Sequence, residues 1–307
     1  MRSDLFCAYS EYLTKLHGEK IWRLPLSTGI PCVNKINGNT GCTFCDDTTF
    51  TPQYTREQET IEKQIERGIK FYGERYGVKH YYGFFQSNTN TYGPIDYLLE
   101  CFEKILSNPI FKGIAISTRP DHITPDIIQK LEILNNKYKK DFWIELGLQS
   151  TNDKTLQRIN RNHDYNSFKN SVKLIKSKSS IKICAHMIIG LPGESEDMIV
   201  ETYRTLFDDN QLDGLKLRIL DIIEGTPIYN EYHNNPNDFM HFTFESFVNI
   251  ICNILEFVPP EVVIMRFVNF ASLSRILRNE KKPVKDEVLK AVENELLRRG
   301  TRQGYKR

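Results

Sequence analysis

From about residue 20 to residue 219, short apolar runs alternate with stretches whose apolar residues recur at helical spacing, and this alternation most limits the fold. The runs, at 20–26, 79–85, 113–117, 142–148, 181–189 and 213–219, predict six strands, each followed by a helix, and so a parallel sheet. Helix starts are marked by Thr55 with Gln58, a capping-box pattern, and by Thr124 ahead of Pro125. Ile95, Leu98, Leu99, Phe102, Ile105 and Leu106 form one apolar stripe that belongs to a core. Six βα units in series fit an open, incomplete barrel better than a doubly wound sheet, although one sequence does not give strand order. Either fold collects chemistry at the C-terminal ends of its strands. The expected organisation is an N-terminal extension (1–19), the partial barrel (20–240) and a small basic α/β extension (241–307).

The first run leads into a loop rich in glycine and asparagine that holds Cys32, Cys42 and Cys45 as C-x9-C-x2-C. Thiolate clusters usually take four cysteines, so three on a cubane of four irons leave one iron free for an exchangeable group. Gly38, Gly41, Asn37 and Asn39 permit the backbone angles such a loop needs. Phe44 would shield one side. Structural zinc is the competing reading, but zinc wants four ligands and a C-x2-C pair is commonly matched by a second. No second pair exists. Cys7, Cys101, Cys184 and Cys252 are isolated, and the last three fall in helix, strand and helix patterns, where cysteine packs as a small hydrophobe. An odd total of seven, without framework spacing, fits a reducing compartment in which thiols serve metals.

Composition excludes two classes. With 40% hydrophobic and 26% charged residues the chain is neither disordered nor membrane-like, no apolar run approaches bilayer length, and the N-terminus lacks a signal-peptide pattern. A cytoplasmic protein is expected. The net charge of +2 is unevenly spread: residues 266–307 carry twelve Lys/Arg against five Asp/Glu, or +7, which leaves −5 for the rest. Lys281 and Lys282 beside Pro283, with Arg298 and Arg299, are candidate phosphate contacts for RNA, and Phe267, Phe270 and Tyr305 interleave with them. A solvated helix face explains the same charge.

The expected strand ends are unusually polar. Gln86 through Thr91 follow the second run and Ser117-Thr118-Arg119-Pro120-Asp121 the third; the fourth carries Glu145 and ends Gln149-Ser150; the fifth enters Gly190-Leu191-Pro192-Gly193-Glu194. Any one of these reads as loop or cap. Four of them on one rim, joined by the cysteine loop, mark that rim as the site. The glycine turn lacks the Lys-Ser/Thr of a P-loop.

These strings together resemble the radical S-adenosylmethionine (SAM) superfamily, and within it the YhcC-like group, related to the Elongator catalytic subunit and to oxygen-independent coproporphyrinogen dehydrogenase. Gly41-Cys42-Thr43-Phe44-Cys45-Asp46, Phe85-Gln86 with Asn88 to Tyr92, Ser117 to Asp121, Glu145 to Ser150, Arg158-Ile159-Asn160-Arg161 with His163-Asp164, and Ala185-His186 through Glu194 carry the resemblance. It implies a partial (β/α)6 TIM-type barrel with a [4Fe-4S] cluster on Cys32, Cys42 and Cys45. SAM would chelate the fourth iron through its amino and carboxylate groups. An electron from a flavodoxin- or ferredoxin-like donor would then give a 5′-deoxyadenosyl radical that abstracts hydrogen from a substrate.

By motif position the resemblance sets Phe44 beside the adenine and Gln86, Ser87 and Asn88 at the SAM amino group. Ser117, Gln149, Arg161 and His186 match further SAM contacts, and Gly190 with Gly193 lets backbone approach the nucleoside. Arg161 suits a carboxylate and Gln149 a ribose or carboxylate, so both are expected to position SAM rather than hold the fold. His186 is equally explained as a hydrogen-bonded core residue. Val33 stands where relatives often have proline, and the first cysteine gap is short for the group. Residues 265–269 lack the expected His-Arg…Gly-Asp pattern, so the substrate end differs. RNA is a candidate substrate. The alternative from another class is a nucleic-acid-binding protein whose iron-sulfur cluster is structural.

Overall fold

The computed structural model describes residues 4–36, 38–46, 51–55, 59–268, 277–278 and 285–307. Asn37, Gln58, Asn269, Phe270, Lys281, Lys282 and Pro283 lie outside these residues.

Strands and helices alternate as the apolar runs require. In chain order they are α1 (Tyr9–His17), β1 (Trp22–Leu26), α2 (Ile61–Tyr76), β2 (Tyr81–Phe85), α3 (Ile95–Ser107), β3 (Phe111–Thr118), α4 (Pro125–Tyr138) and β4 (Asp141–Gln149). Next come α5 (Asp153–Arg158), α6 (Tyr165–Lys178), β5 (Lys182–Ile189), α7 (Glu196–Asp209) and β6 (Gly214–Ile219). The remainder is α8 (Pro227–Asn234), β7 (Phe242–Thr243), α9 (Phe244–Leu255), β8 (Val263–Arg266), β9 (Leu277–Arg278) and α10 (Lys285–Arg299).

Seven strands form one parallel sheet in the order β1-β2-β3-β4-β5-β6-β8. A doubly wound sheet reverses its order at a switch point. Here each strand lies beside its predecessor, so all the crossovers turn the same way, and the sheet curls into a partial barrel of the TIM type. Sequence periodicity predicts six strands; the seventh, β8, has only four residues, too few to stand out as a strand-length run, and it joins by pairing with β6. The start of α2 also differs from expectation. Thr60 caps it, accepting from the Lys63 amide, because the buried stripe begins at Ile61 and Ile65; Thr55 instead closes a short turn on the Pro52 carbonyl. Thr124 does cap α4, with Pro125 at the first helical position.

Alternate residues of a strand face opposite sides, and the two sides bury different things. Outward, Ile144, Leu146, Ile183 and Met187 join the helices in the main core. Inward, Tyr82, Phe84, Trp143, Cys184 and Val263 form a second cluster closed by Leu13 of α1. Asp141 pins this floor, accepting from Tyr82 Oη and Trp143 Nε1 at 2.7 Å each and from Tyr12 Oη at 3.1 Å. The aromatic floor fills the lower end and leaves the C-terminal rim for chemistry. The termini meet below: Ile264 N–H donates to the Cys7 carbonyl at 2.7 Å, and Cys7 N–H to Gln303 Oε1 at 2.9 Å. Among the described residues no helix is long and apolar enough to cross a membrane.

Candidate functional site

β1 delivers the cysteine loop to the rim. Just past its end, Ser27 is fixed by Gln64 of α2: the Ser27 amide donates to Oε1 at 2.8 Å and its carbonyl accepts from Nε2 at 3.0 Å. The Cys32 carbonyl accepts from the Lys35 amide at 2.8 Å in a single 3-10 turn, and the Cys45 amide donates to the Cys42 carbonyl at 3.0 Å. Gly41 between them holds φ at +81°, in the left-handed region that favours glycine, and a Cβ there would also meet the Lys35 side chain at 2.8 Å. Polar groups are aimed at the thiols. Thr89 Oγ1 lies 3.5 Å from Cys32 Sγ, while Asn34 Nδ2 and Arg161 Nη1 donate to Cys42 Sγ at 3.3 and 3.2 Å. Hydrogen bonds to sulfur are one of the means by which a protein tunes an iron-sulfur cluster. Among the described residues no three His, Cys, Asp or Glu side chains converge on a single ion. In an iron-sulfur cluster each thiolate takes its own iron, so no such convergence is needed.

A second segment locks the loop in place. Thr43 N–H donates to the Ile159 carbonyl at 3.0 Å, Asn160 Nδ2 to the Gly41 carbonyl at 2.6 Å, and Asn34 Nδ2 to the Asn160 carbonyl at 2.8 Å. Asn162 Nδ2 completes the lock, donating to Asn34 Oδ1 at 2.6 Å. Asn160 and Asn162 hold φ at +53° and +54°, angles that asparagine tolerates better than most residues. The Arg161 side chain between them is buried. Arg119 supports the turn from β3, its Nη1 donating to the Arg161 carbonyl at 2.7 Å and its Nη2 to that of Asn162 at 3.0 Å. Sequence reading singles out Arg161 but gives no role to Asn34, Thr89, Asn160, Asn162 or Arg119. The available signal was the pair of asparagines flanking Arg161.

Gln149, Arg161 and His186 meet around Gly147. The β4–β5 register shifts between Gly147 and Gln149, and Gln149 holds φ at +82°, a strained angle for a residue with a side chain. Arg161 Nη2 donates to the Gly147 carbonyl at 2.5 Å; a Cβ on residue 147 would stand 3.0 Å from that nitrogen and 3.1 Å from Gln149 Nε2. His186 is the cross-strand neighbour of Gly147. Gln149 Oε1 and His186 Nε2 are buried with no hydrogen-bond partner among the described residues, a costly state that a polar ligand would relieve. Desolvation, then the charges of Lys216, Arg266 and Arg218, hold His186 well below its ordinary value, so its ring is neutral. Donors on the thiols beside a partnerless acceptor and ring nitrogen fit a cluster with a small polar ligand next to it.

Arg161 departs from expectation in one respect. Besides Cys42 and Gly147 it engages His163, Nε to Nε2 at 3.0 Å, so it holds the fold as well as facing the site. Ser117 Oγ turns into the barrel and donates to Glu145 Oε2 at 3.2 Å. Gln86, Ser87 and Asn88 stay partly exposed at the rim, where Asn88 at φ +71° turns the chain and Ser87 Oγ meets Thr51 Oγ1 at 2.8 Å. Asn90 anchors that turn, its Nδ2 donating to the Ser87 and Ser117 carbonyls at 2.7 and 2.8 Å. Phe44 is buried in the main core. Gly190 holds φ at +85°, and the Gly193 amide donates to the Asp238 carbonyl at 2.7 Å.

Below the rim the barrel is charged. Glu145, fully buried on β4, pairs with Arg23 of β1 and with Lys216 of β6, the latter at 2.7 Å. The Arg23 guanidinium also lies over the rings of Tyr9 and Phe84, 4.6 Å from each centroid.

Comparison with known proteins finds relatives in sequence and in fold. The radical SAM superfamily model matches residues 37–206, and the radical SAM C-terminal domain model matches residues 212–298. Uncharacterized protein YtqA of Bacillus subtilis is 32% identical over 298 residues, covering 95% of this chain and 90% of that protein. Protein YhcC of Escherichia coli K12 is 29% identical over 256 residues, 83% of this chain and 80% of that one. tRNA uridine(34) acetyltransferase of Dehalococcoides mccartyi is 30% identical over 161 residues, but these are 50% of this chain and 32% of that protein. Among solved structures, the archaeal Methanocaldococcus infernus Elp3 superposes with a TM-score of 0.64 at 17% identity, over 92% of this chain and 65% of that one, which shows the same fold.

Proposed function

Because this chain belongs to the radical SAM superfamily, in its YhcC-like group, we propose that Cys32, Cys42 and Cys45 hold a [4Fe-4S] cluster beside which Gln149, Arg161 and His186 seat SAM. Membership makes the protein a radical SAM enzyme and implies an electron donor, which we take to be flavodoxin- or ferredoxin-like. When bound, cluster and SAM supply the reductive cleavage whose 5′-deoxyadenosyl radical removes a hydrogen atom from substrate. The chain's own residues supply position and dryness. Arg161 and Asn34, as donors to Cys42 Sγ, offset thiolate charge. Gln149 Oε1 accepts a hydrogen bond from the ligand, and the neutral His186 ring offers its Nε2. Gln86, Ser87 and Asn88 line the opposite part of the rim, Ser117 offers an acceptor oxygen, Phe44 backs the last two cysteines, and Gly190 leaves backbone open. The aromatic floor keeps water from entering below.

One observation carries this reading. The Cys42 thiol and the Gln149 side chain, whose Oε1 has no partner among the described residues, flank the same Arg161–Gly147 contact, so ligation and a polar cradle share one wall. The test is anaerobic reconstitution followed by SAM and reductant. Wild type is expected to take up about four irons per chain and release 5′-deoxyadenosine. Cys45→Ala is expected to lose both the visible absorption band and the product. An unchanged band in Cys45→Ala, or stoichiometric zinc in protein purified without oxygen, refutes the assignment.

We include RNA as a candidate substrate on the strength of the tRNA-acting relative. Arg299 contributes little to it: it donates to Glu295, to Asn253 at 2.8 Å and to Glu256 at 3.3 Å, so its charge ties α10 to α9. Arg298 pairs with Glu295 of its own helix and stays exposed. Phosphate contacts then fall to Lys281, Lys282 and Arg298, and binding of mixed tRNA across a salt series tests them. A nucleic-acid-binding protein with a structural cluster gives no reason for the partnerless Gln149 and His186, and absence of 5′-deoxyadenosine would favour it. A cytoplasmic setting is proposed from cysteine usage alone.

A further inference from the structure

The barrel interior holds more positive charge than its carboxylates answer. Arg23, Lys216, Arg218 and Arg266 enter from β1, β6 and β8, facing Glu145 and Asp221. Glu145 takes Arg23 and Lys216, and Asp221 takes Arg218 at 3.2 Å. Arg266 has no ion pair among the described residues, and its Nε is buried without a hydrogen-bond partner among them. Arg266 is half-buried, and a guanidinium whose Nε is buried without a partner is a ready site for an anion.

Position tells what that anion is not. Arg266 is the register partner of Lys216, Lys216 of His186, and His186 of Gly147, so the cation sits in the strand layer that borders the polar cradle. Of the other cations near the site, Arg161 donates to Cys42 Sγ and Arg218 pairs with Asp221, so Arg266 is left over. Burial first, then Arg218, pushes its guanidinium down to about 10, which fits a cation with no close counter-ion.

We propose that Arg266, with Lys216 and His186 as its neighbours in the strand layer, binds a carboxylate of the substrate, which is therefore a small organic acid held in the barrel. A planar guanidinium meets both oxygens of a carboxylate in one fork. A phosphate dianion would need a second free cation, and Lys216 and Arg218 are already paired. The inference rests on the barrel interior being the substrate chamber of a radical SAM enzyme, and it names the group that chamber holds.

The test measures the thermal midpoint of reconstituted protein with SAM, in titrations of acetate, succinate and glutarate, the matching amides, inorganic phosphate and mixed tRNA. Carboxylates are expected to raise the midpoint and amides to leave it alone. Arg266→Gln is expected to weaken carboxylate binding about tenfold or more. If Arg266→Gln does not fold, Arg266→Lys, which keeps the charge and loses the fork, is expected to bind carboxylates more weakly than wild type. An unchanged carboxylate response in the folded variant overturns the proposal, as does equal stabilisation by amides or stabilisation by phosphate or tRNA alone. Release of 5′-deoxyadenosine is followed in parallel. Its absence refutes the radical SAM reading while carboxylate binding is still scored, and its presence without carboxylate binding refutes only the carboxylate site.

Discussion

Glu194 closes the glycine turn after β5 and is buried, 4% exposed, with Ser150 Oγ donating to its Oε1 at 2.6 Å. No ion pair reaches it among the described residues. Burial pushes this carboxyl up from 4.5 to about 7, against the pull of the Ser150 and Thr155 hydroxyls. A shift of that size corresponds to about 3 kcal/mol between the protonated and ionised forms. Its sign follows from linkage: between these two values the folded protein keeps a proton that the unfolded chain has released, so stability falls as pH rises. The stabilisation is complete below about pH 4.5 and lost above about pH 7. Glu194→Gln removes the titration and keeps an acceptor for Ser150. In urea unfolding at stepped pH, followed by tryptophan fluorescence, the wild type is expected to lose about 3 kcal/mol relative to the variant between about pH 4.5 and 8. Taking the difference cancels the other groups that titrate in this range. Parallel pH profiles would refute the buried, unpaired carboxyl, and a wild type that gained on the variant with rising pH would mean that a cation reaches Glu194 in solution.

Two further outcomes follow from the packing of charge. Although burial pushes the Glu145 carboxyl up, Arg23 and Lys216 together hold it well below the usual carboxylate range. Glu145→Gln strands two buried cations and is expected to cost about 3–5 kcal/mol in denaturant unfolding, partly restored by adding Lys216→Met; a loss below about 1 kcal/mol refutes the pairing. Arg161→Ala removes the donors to Cys42 Sγ and the Gly147 carbonyl and is expected to cost about 2–4 kcal/mol. In reconstituted protein it should also lower the cluster's reduction potential, since hydrogen bonds to sulfur favour the more negative reduced state. An unchanged midpoint in a redox titration followed by electron paramagnetic resonance would show that the Nη1–Sγ contact is absent once the cluster is in place. Arg161→Lys is not expected to restore both contacts.

What the sequence made legible was local. The cysteine spacing, the six longer strands and the cap at Thr124 are each written within about fifteen residues, and each depends on period or chemistry that needs no partner. The lock on the cysteine loop is not of that kind. Asn34 finds the Asn160 carbonyl 126 residues away and the Asn162 side chain 128 residues away, so nothing near residue 34 announces its role. The short β8 was illegible for a related reason: four residues carry too little pattern, and only pairing with β6 makes Val263–Arg266 a strand.

The charged barrel interior lies between these cases, and its partial legibility is physical. Once a strand is assigned, alternation fixes which residues share a face, and in β4 Trp143, Glu145, Gly147 and Gln149 fall together on the side away from Ile144, Leu146 and Leu148. In β6 the same rule sets Lys216 and Arg218 opposite Leu215, Leu217 and Ile219. A strand whose helix-facing positions are all aliphatic while its other face carries an acid or two cations is lining a chamber, because a packed core would not take charge on that face. Alternation alone cannot say which charges cancel. That needed the register, which brings Arg23 and Lys216 to one carboxylate and leaves Arg266 beside them without one.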